Sequence, residues 1–151
     1  MRDTANILTG ALAQALETMA FMEIMPVEED ASAPDETLCA EISFNGPQQQ
    51  GRIQIIVGRA FAETLAENIG ALDEVTEADC RDALQELANV TCGLITPIIA
   101  SDLSEVYELT IPRIKDNEDV PTWEMWAAAP DACVLFNVEE DMIAAKLTMD
   151  N

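Results

Sequence analysis

The chain has 151 residues, 49% of them hydrophobic, with 29 Asp and Glu against 7 Lys and Arg, no histidine, and a formal charge of −22. That balance argues for a folded domain rather than a disordered acidic tail, and against binding nucleic acid or an anionic membrane, which both need Lys and Arg to neutralise phosphate. Without histidine, Ser-His-Asp and Cys-His catalysis are excluded within this chain, and the commonest metal ligand is missing.

Taken in chain order, Asp3 and Thr4 offer a helix N-cap. Ile7, Leu8, Leu12, Leu16, Met19 and Ala20 then recur at three- and four-residue spacing, which predicts a helix that stops before Pro26. Residues 28–36, EEDASAPDE, read as an acidic loop. LCAEISF (38–44) and GRIQIIVG (51–58) read as strands around the turn NGPQQQ, a hairpin. RAFAETLAENIG (59–70) is a short helix closed by Gly70. Thr76 and Asp79 resemble a capping box with Asp in place of Glu, opening a long helix to about Ala100. Gly93 and Pro97 interrupt that helix, and Pro97 is expected to bend or end it.

SEVYELTI (104–111) reads as a strand stopped by Pro112, and residues 115–130 as an irregular segment anchored by two tryptophans. ACVLFNV and MIAAKLTM form a closing hairpin that turns at Glu139–Asp141. No internal repeat stands out. The pattern predicts one α+β domain over residues 1–151, an antiparallel sheet built from hairpins with two long helices packed on it. Cys39, Cys80, Cys92 and Cys133 are scattered without a CxxC, which argues for buried, reduced thiols in a cytoplasmic protein and against a zinc site. The N-terminus lacks a signal-peptide pattern, and no apolar run is long enough to span a bilayer.

The long helix carries two stripes. At about 100° per residue, Cys80, Leu84, Leu87, Ala88, Thr91, Ile95 and Ile98 share one side, the expected core face. Asp82, Glu86, Asn89 and Gly93 follow at spacings of four, three and four and fall on the opposite side, with Thr96 and Pro97 flanking them one turn on. Polar residues on a solvated face are ordinary. Asn is nevertheless a poorer helix former than Lys, Glu or Gln, and an interior Gly costs about 1 kcal/mol relative to Ala. Gly93 also leaves room for another molecule's backbone.

This stripe resembles the site helix of the chemotaxis phosphatases of the CheC/CheX/FliY family, which carry [DS]-x-x-x-E-x-x-N followed after twenty-two residues by Pro. Asp82, Glu86 and Asn89 match the pattern, and after twenty-two intervening residues, 90–111, comes Pro112. In the first helix, Glu17 is followed three residues later by Ala20 rather than Asn, so one site per chain is expected, as in the CheX-like branch. Members of that branch are homodimers whose sheets associate. The chain departs from the family after Pro112, where Arg113, Ile114 and Lys115 lead into an acidic, Trp-containing segment.

The resemblance implies a hydrolase acting on the aspartyl phosphate of a CheY-like response regulator. The regulator would bring its own Mg2+ and lysine, and this chain would bind no cofactor. A neutral amide suits the remaining task, because it accepts from a water and donates to a phosphoryl oxygen. By that likeness Asn89 orients the attacking water, Glu86 pairs with the regulator's lysine, and Asp82 supports Glu86 at the rim. Gly93 permits close approach and Pro112 shapes the neighbouring wall. The alternative is a non-catalytic chemotaxis or flagellar-motor adaptor that binds a regulator through the same helix.

Overall fold

A computed structural model of the chain describes residues 4–25, 36–70, 73–100, 104–116, 133–138 and 141–150. Its elements in chain order are α1 (Thr4–Ala20), β1 (Ile24–Met25), β2 (Thr37–Asn45), β3 (Gln50–Gly58), α2 (Arg59–Gly70), α3 (Glu77–Ile99), β4 (Glu108–Leu109), β5 (Arg113–Asp116), β6 (Cys133–Val138) and β7 (Asp141–Asp150). The seven strands form one antiparallel sheet in the order β1-β6-β7-β3-β2-β4, with β5 also pairing to β2. Both expected hairpins are present, β2 with β3 and β6 with β7.

Alternation puts Leu38, Ala40, Ile42 and Phe44 of β2 in the main core with Ile53, Ile55 and Val57 of β3. On the helical side, Leu8, Leu12 and Leu16 of α1 and Leu84, Leu87 and Ile95 of α3 complete that core. Cys39, Ile56 and Ala144 are buried on the opposite sheet face. Cys39, Cys80 and Cys92 are free, buried thiols, and burial pushes Cys39 and Cys92 up to about 12. At Gly51 an added Cβ would run into the Thr148 carbonyl and the Phe44 ring, so the close approach of β3 to β7 there requires glycine.

Exchanging α1-β1-β2-β3 for α3-β4/β5-β6-β7 maps the strand order onto its own reverse. The fold thus has a two-fold plan that the sequence does not display. α1 and α3 occupy equivalent places in it, and the Glu–Asn line lies on α3.

Several expectations need correction. The strand read over 104–111 is only Glu108–Leu109, and four residues after Pro112 that read as irregular or loop-like form β5. Pro97 neither ends nor breaks α3, which runs to Ile99. It removes one backbone donor in the last turn, where Ala100 N–H still reaches the Thr96 carbonyl at 3.0 Å. Ile98 is 52% exposed, while Cys92, Thr96 and Ile99 are buried. At this end α3 meets the β2–β3 turn, whose Gln49 side chain donates to the Ile99 carbonyl at 2.9 Å. That tertiary contact, not the periodicity, decides which side is covered. Asp3, most of the acidic stretch 28–36, both tryptophans and Glu139 lie outside the described residues.

α1 ends in an unusual residue. Phe21 has φ 58, and its N–H donates to the Glu17 carbonyl at 3.2 Å, the pattern of a left-handed helix cap. Glycine is the common choice there, yet Phe21 carries a ring that is 85% exposed.

Candidate active site

α3 starts at the capping box read from the sequence. The Thr76 hydroxyl accepts from the Asp79 N–H at 3.1 Å, and the Asp79 carboxylate accepts from the Thr76 N–H at 2.9 Å. The acidic first turn suits the positive helix end. With the helix fixed there, Leu84, Leu87, Ala88, Thr91 and Ile95 turn inward and are buried. Asp82, Glu86, Asn89, Gly93 and Pro97 turn outward and are exposed. Thr91 points inward and its hydroxyl donates to the Leu87 carbonyl at 2.7 Å, so its burial leaves no orphan donor. Thr96 is buried and therefore not part of the outward face, contrary to expectation.

Beside the outward line lies an open cleft of about 440 Å³. One wall is α3, with Asp82, Gln85, Glu86 and Asn89; the other is the chain from Leu109 to Pro112. The fold therefore brings four of the five expected residues, Asp82, Glu86, Asn89 and Pro112, to one place. Gly93 lies one turn beyond, and a Cβ built on it would meet nothing within 4 Å. No contact inside the described part of the protein explains a glycine there.

Gln85 and the residues before Pro112 also line the cleft, although nothing in the sequence marks them out. Gln85 is half-buried, and its side-chain Nε2 donates to the Pro112 carbonyl at 2.9 Å. It lies on the flank of the outward stripe, and nothing local signals a partner 27 positions away. Leu109 and Ile111, which read as strand residues, are 41% and 83% exposed.

Chemically, the cleft offers two carboxylates and a carboxamide on successive turns, facing a wall with no charged side chain. Asp82 and Glu86 attract a cation from outside. Asn89 is able to accept one hydrogen bond and donate another at the same time. Among the described residues no group of three His, Cys, Asp or Glu is placed to hold a metal ion. Also among them, no helix is long and apolar enough to cross a membrane.

A family model described as "Chemotaxis phosphatase CheX" matches residues 38–136, which include all of α3 and Pro112. No relative among the curated proteins matches the chain. Among solved structures, the chemotaxis protein CheX from Vibrio vulnificus is similar at 16% identity and a TM-score of 0.71, covering 99% of this chain and 97% of that one. CheX from Desulfovibrio desulfuricans is similar at 14% identity and a TM-score of 0.72, covering 99% and 100%. A CheX-CheY-BeF3-Mg2+ complex from Borrelia burgdorferi contains a chain that is similar at 13% identity and a TM-score of 0.66, covering 99% of each. At these identities the likeness to solved structures is one of fold. The family model spans well over half of the sequence, and the chain belongs to the CheX family.

Proposed function

We propose that this chain speeds hydrolysis of the aspartyl phosphate on a CheY-like response regulator, with Asn89 orienting the water. The observation that carries this reading is the exposed Glu86–Asn89 turn at the mouth of a cleft walled by Pro112, in a member of the CheX family. The Borrelia burgdorferi complex, in which a similar fold is bound to CheY with BeF3 and Mg2+, supports the class of partner.

The aspartyl phosphate is an acyl phosphate and already labile. Water attacks phosphorus in line, the P–O bond to the aspartyl carboxylate breaks, and the products are inorganic phosphate and a free aspartate. Such a transfer depends on positioning and charge stabilisation more than on covalent help. The regulator's own Mg2+ and lysine would neutralise charge on the phosphoryl oxygens. The Asn89 amide oxygen would accept a hydrogen bond from the attacking water and its NH2 would donate one to a phosphoryl oxygen, fixing the angle of attack. Glu86 would pair with the regulator's lysine and set the docking register. Asp82, one turn back, would strengthen that attraction, and Gly93 would let the regulator's backbone approach. A site built this way works without histidine, because no strong base is needed.

The test is the decay of a phosphorylated regulator, with and without the protein, across the response regulators of the same organism. Faster decay of at least one of them is expected. Binding without faster decay would give the adaptor reading instead. The chain is proposed to work in the cytoplasm as a homodimer, and sedimentation of the purified protein should give twice the chain mass.

A further inference from the structure

The wall facing Glu86 is a β-bulge. β2 pairs with β4 at Phe44↔Leu109 and with β5 at Glu41↔Arg113, so Ile42 and Ser43 oppose three residues, Thr110, Ile111 and Pro112. Thr110 keeps its place on β2. Its N–H donates to the Ser43 carbonyl at 3.0 Å, and its hydroxyl accepts from the Ser43 N–H at 2.9 Å. The extra residue is absorbed by Ile111, which stands 83% exposed. Pro112 has no N–H to offer, and its carbonyl is held by Gln85 at 2.9 Å. Three hydrogen bonds therefore fix a segment whose outermost group is a bare isoleucine.

A single exposed isoleucine is commonplace and needs no account. This one is projected by a bulge and tied to the helix turn that bears Glu86 and Asn89. It also stands on the uncharged side of a cleft whose other side carries Asp82 and Glu86, in a chain of charge −22. Here a partner's apolar atoms can approach without stripping water from a carboxylate.

We infer that Ile111 is a docking residue for the response regulator and that Gln85 is the positioning residue that holds it out. The inference rests on the function proposed above. The occupant is the regulator surface that presents a lysine beside an apolar side chain, with the cation toward Asp82 and Glu86 and the apolar group against Ile111 and Leu109. Charge confined to one wall, and the continuity of the cleft with Asn89, favour this occupant over a second copy of the acidic chain.

The test measures decay of the regulator that the wild-type protein dephosphorylates, over a range of regulator concentrations. Ile111→Ser removes the contact. Gln85→Met keeps the side-chain size and loses the donor. Ile111→Ser is expected to raise KM about tenfold and Gln85→Met severalfold, each leaving kcat within about twofold, because only binding is lost. The double variant should be no worse than Ile111→Ser, since both act through one contact. Unchanged KM in both single variants would overturn the inference and leave the phosphatase reading intact. A shift of Ile111→Ser from dimer to monomer in sedimentation, with KM unchanged, would assign the wall to a second copy and also overturn it. A wild-type protein that neither binds nor speeds the decay of any regulator would end both readings.

Discussion

The Gln85 side chain reaches the Pro112 carbonyl at 2.9 Å, and this joins the proline that follows Asn89 after twenty-two intervening residues to the helix turn that carries Asn89. The sequence spacing thus has a geometric meaning. It is the length of chain that leaves α3 at Ile99, returns along β2 through β4, and arrives beside the same helix face. Residues far apart in the chain form two walls of one cleft, and the hydrogen bond sets the distance between them.

Gly93 stands on an exposed face with open space where a side chain would be. A methyl group added there meets nothing within 4 Å. Gly93→Ala should therefore stabilise the free protein by about 1 kcal/mol, or about 2–4 °C in a thermal melt. On the proposed function, the same variant should slow regulator dephosphorylation, because the methyl would stand where the partner's backbone comes close. A lower melting temperature would contradict the first expectation, and unchanged activity the second.

Phe21 bears a cost at the end of α1. A left-handed conformation costs a non-glycine residue about 1–2 kcal/mol, and the ring is 85% exposed, so burial returns little. Phe21→Gly should raise stability by about 0.5–1 kcal/mol after the glycine's greater freedom in the unfolded chain is counted. Chemical denaturation of the two proteins measures this. Destabilisation by more than about 1 kcal/mol would show that the ring makes contacts worth more than the strain.

Features set by neighbours a few residues apart were legible in the sequence. The Thr76–Asp79 capping box, the outward line from Asp82 to Gly93 and both hairpins all follow from local pattern. What failed was decided by tertiary contact. Ile98 lost its place in the core to Ile99 where the β2–β3 turn covers the helix end. The strand read across 104–111 ends early, at Leu109, because a bulge turns Ile111 away from β2. Gln85 was invisible because its partner is 27 residues distant. The two-fold plan was hidden because packing asks only for apolar side chains at buried positions, which many sequences satisfy.

Glu41 on β2 touches Lys115 on β5 at 2.6 Å. Burial pushes its carboxyl up, but the Lys115 hydrogen bond and the charges of Lys115, Arg52 and Arg113 outweigh this and hold it below the ordinary carboxylate value. A carboxyl depressed in the folded state stabilises above its unfolded value, about 4.3, and loses that contribution as pH falls through the folded value. Glu41→Gln should therefore melt below wild type at pH 7, with the gap narrowing below about pH 4. The comparison has to be differential, because acid also relieves self-repulsion in so acidic a chain. A gap that is constant from pH 7 to pH 3 would contradict the ion pair's contribution.

The proposed role of the Asn89 amide is to orient water for attack on a regulator's aspartyl phosphate. Its most direct test is the decay rate of a phosphorylated regulator at saturating protein, for wild type and Asn89→Ala, with binding of the BeF3-loaded regulator measured alongside. A rate loss of about 100-fold with binding retained is expected. Decay by Asn89→Ala as fast as by wild type, at equal binding, would contradict it.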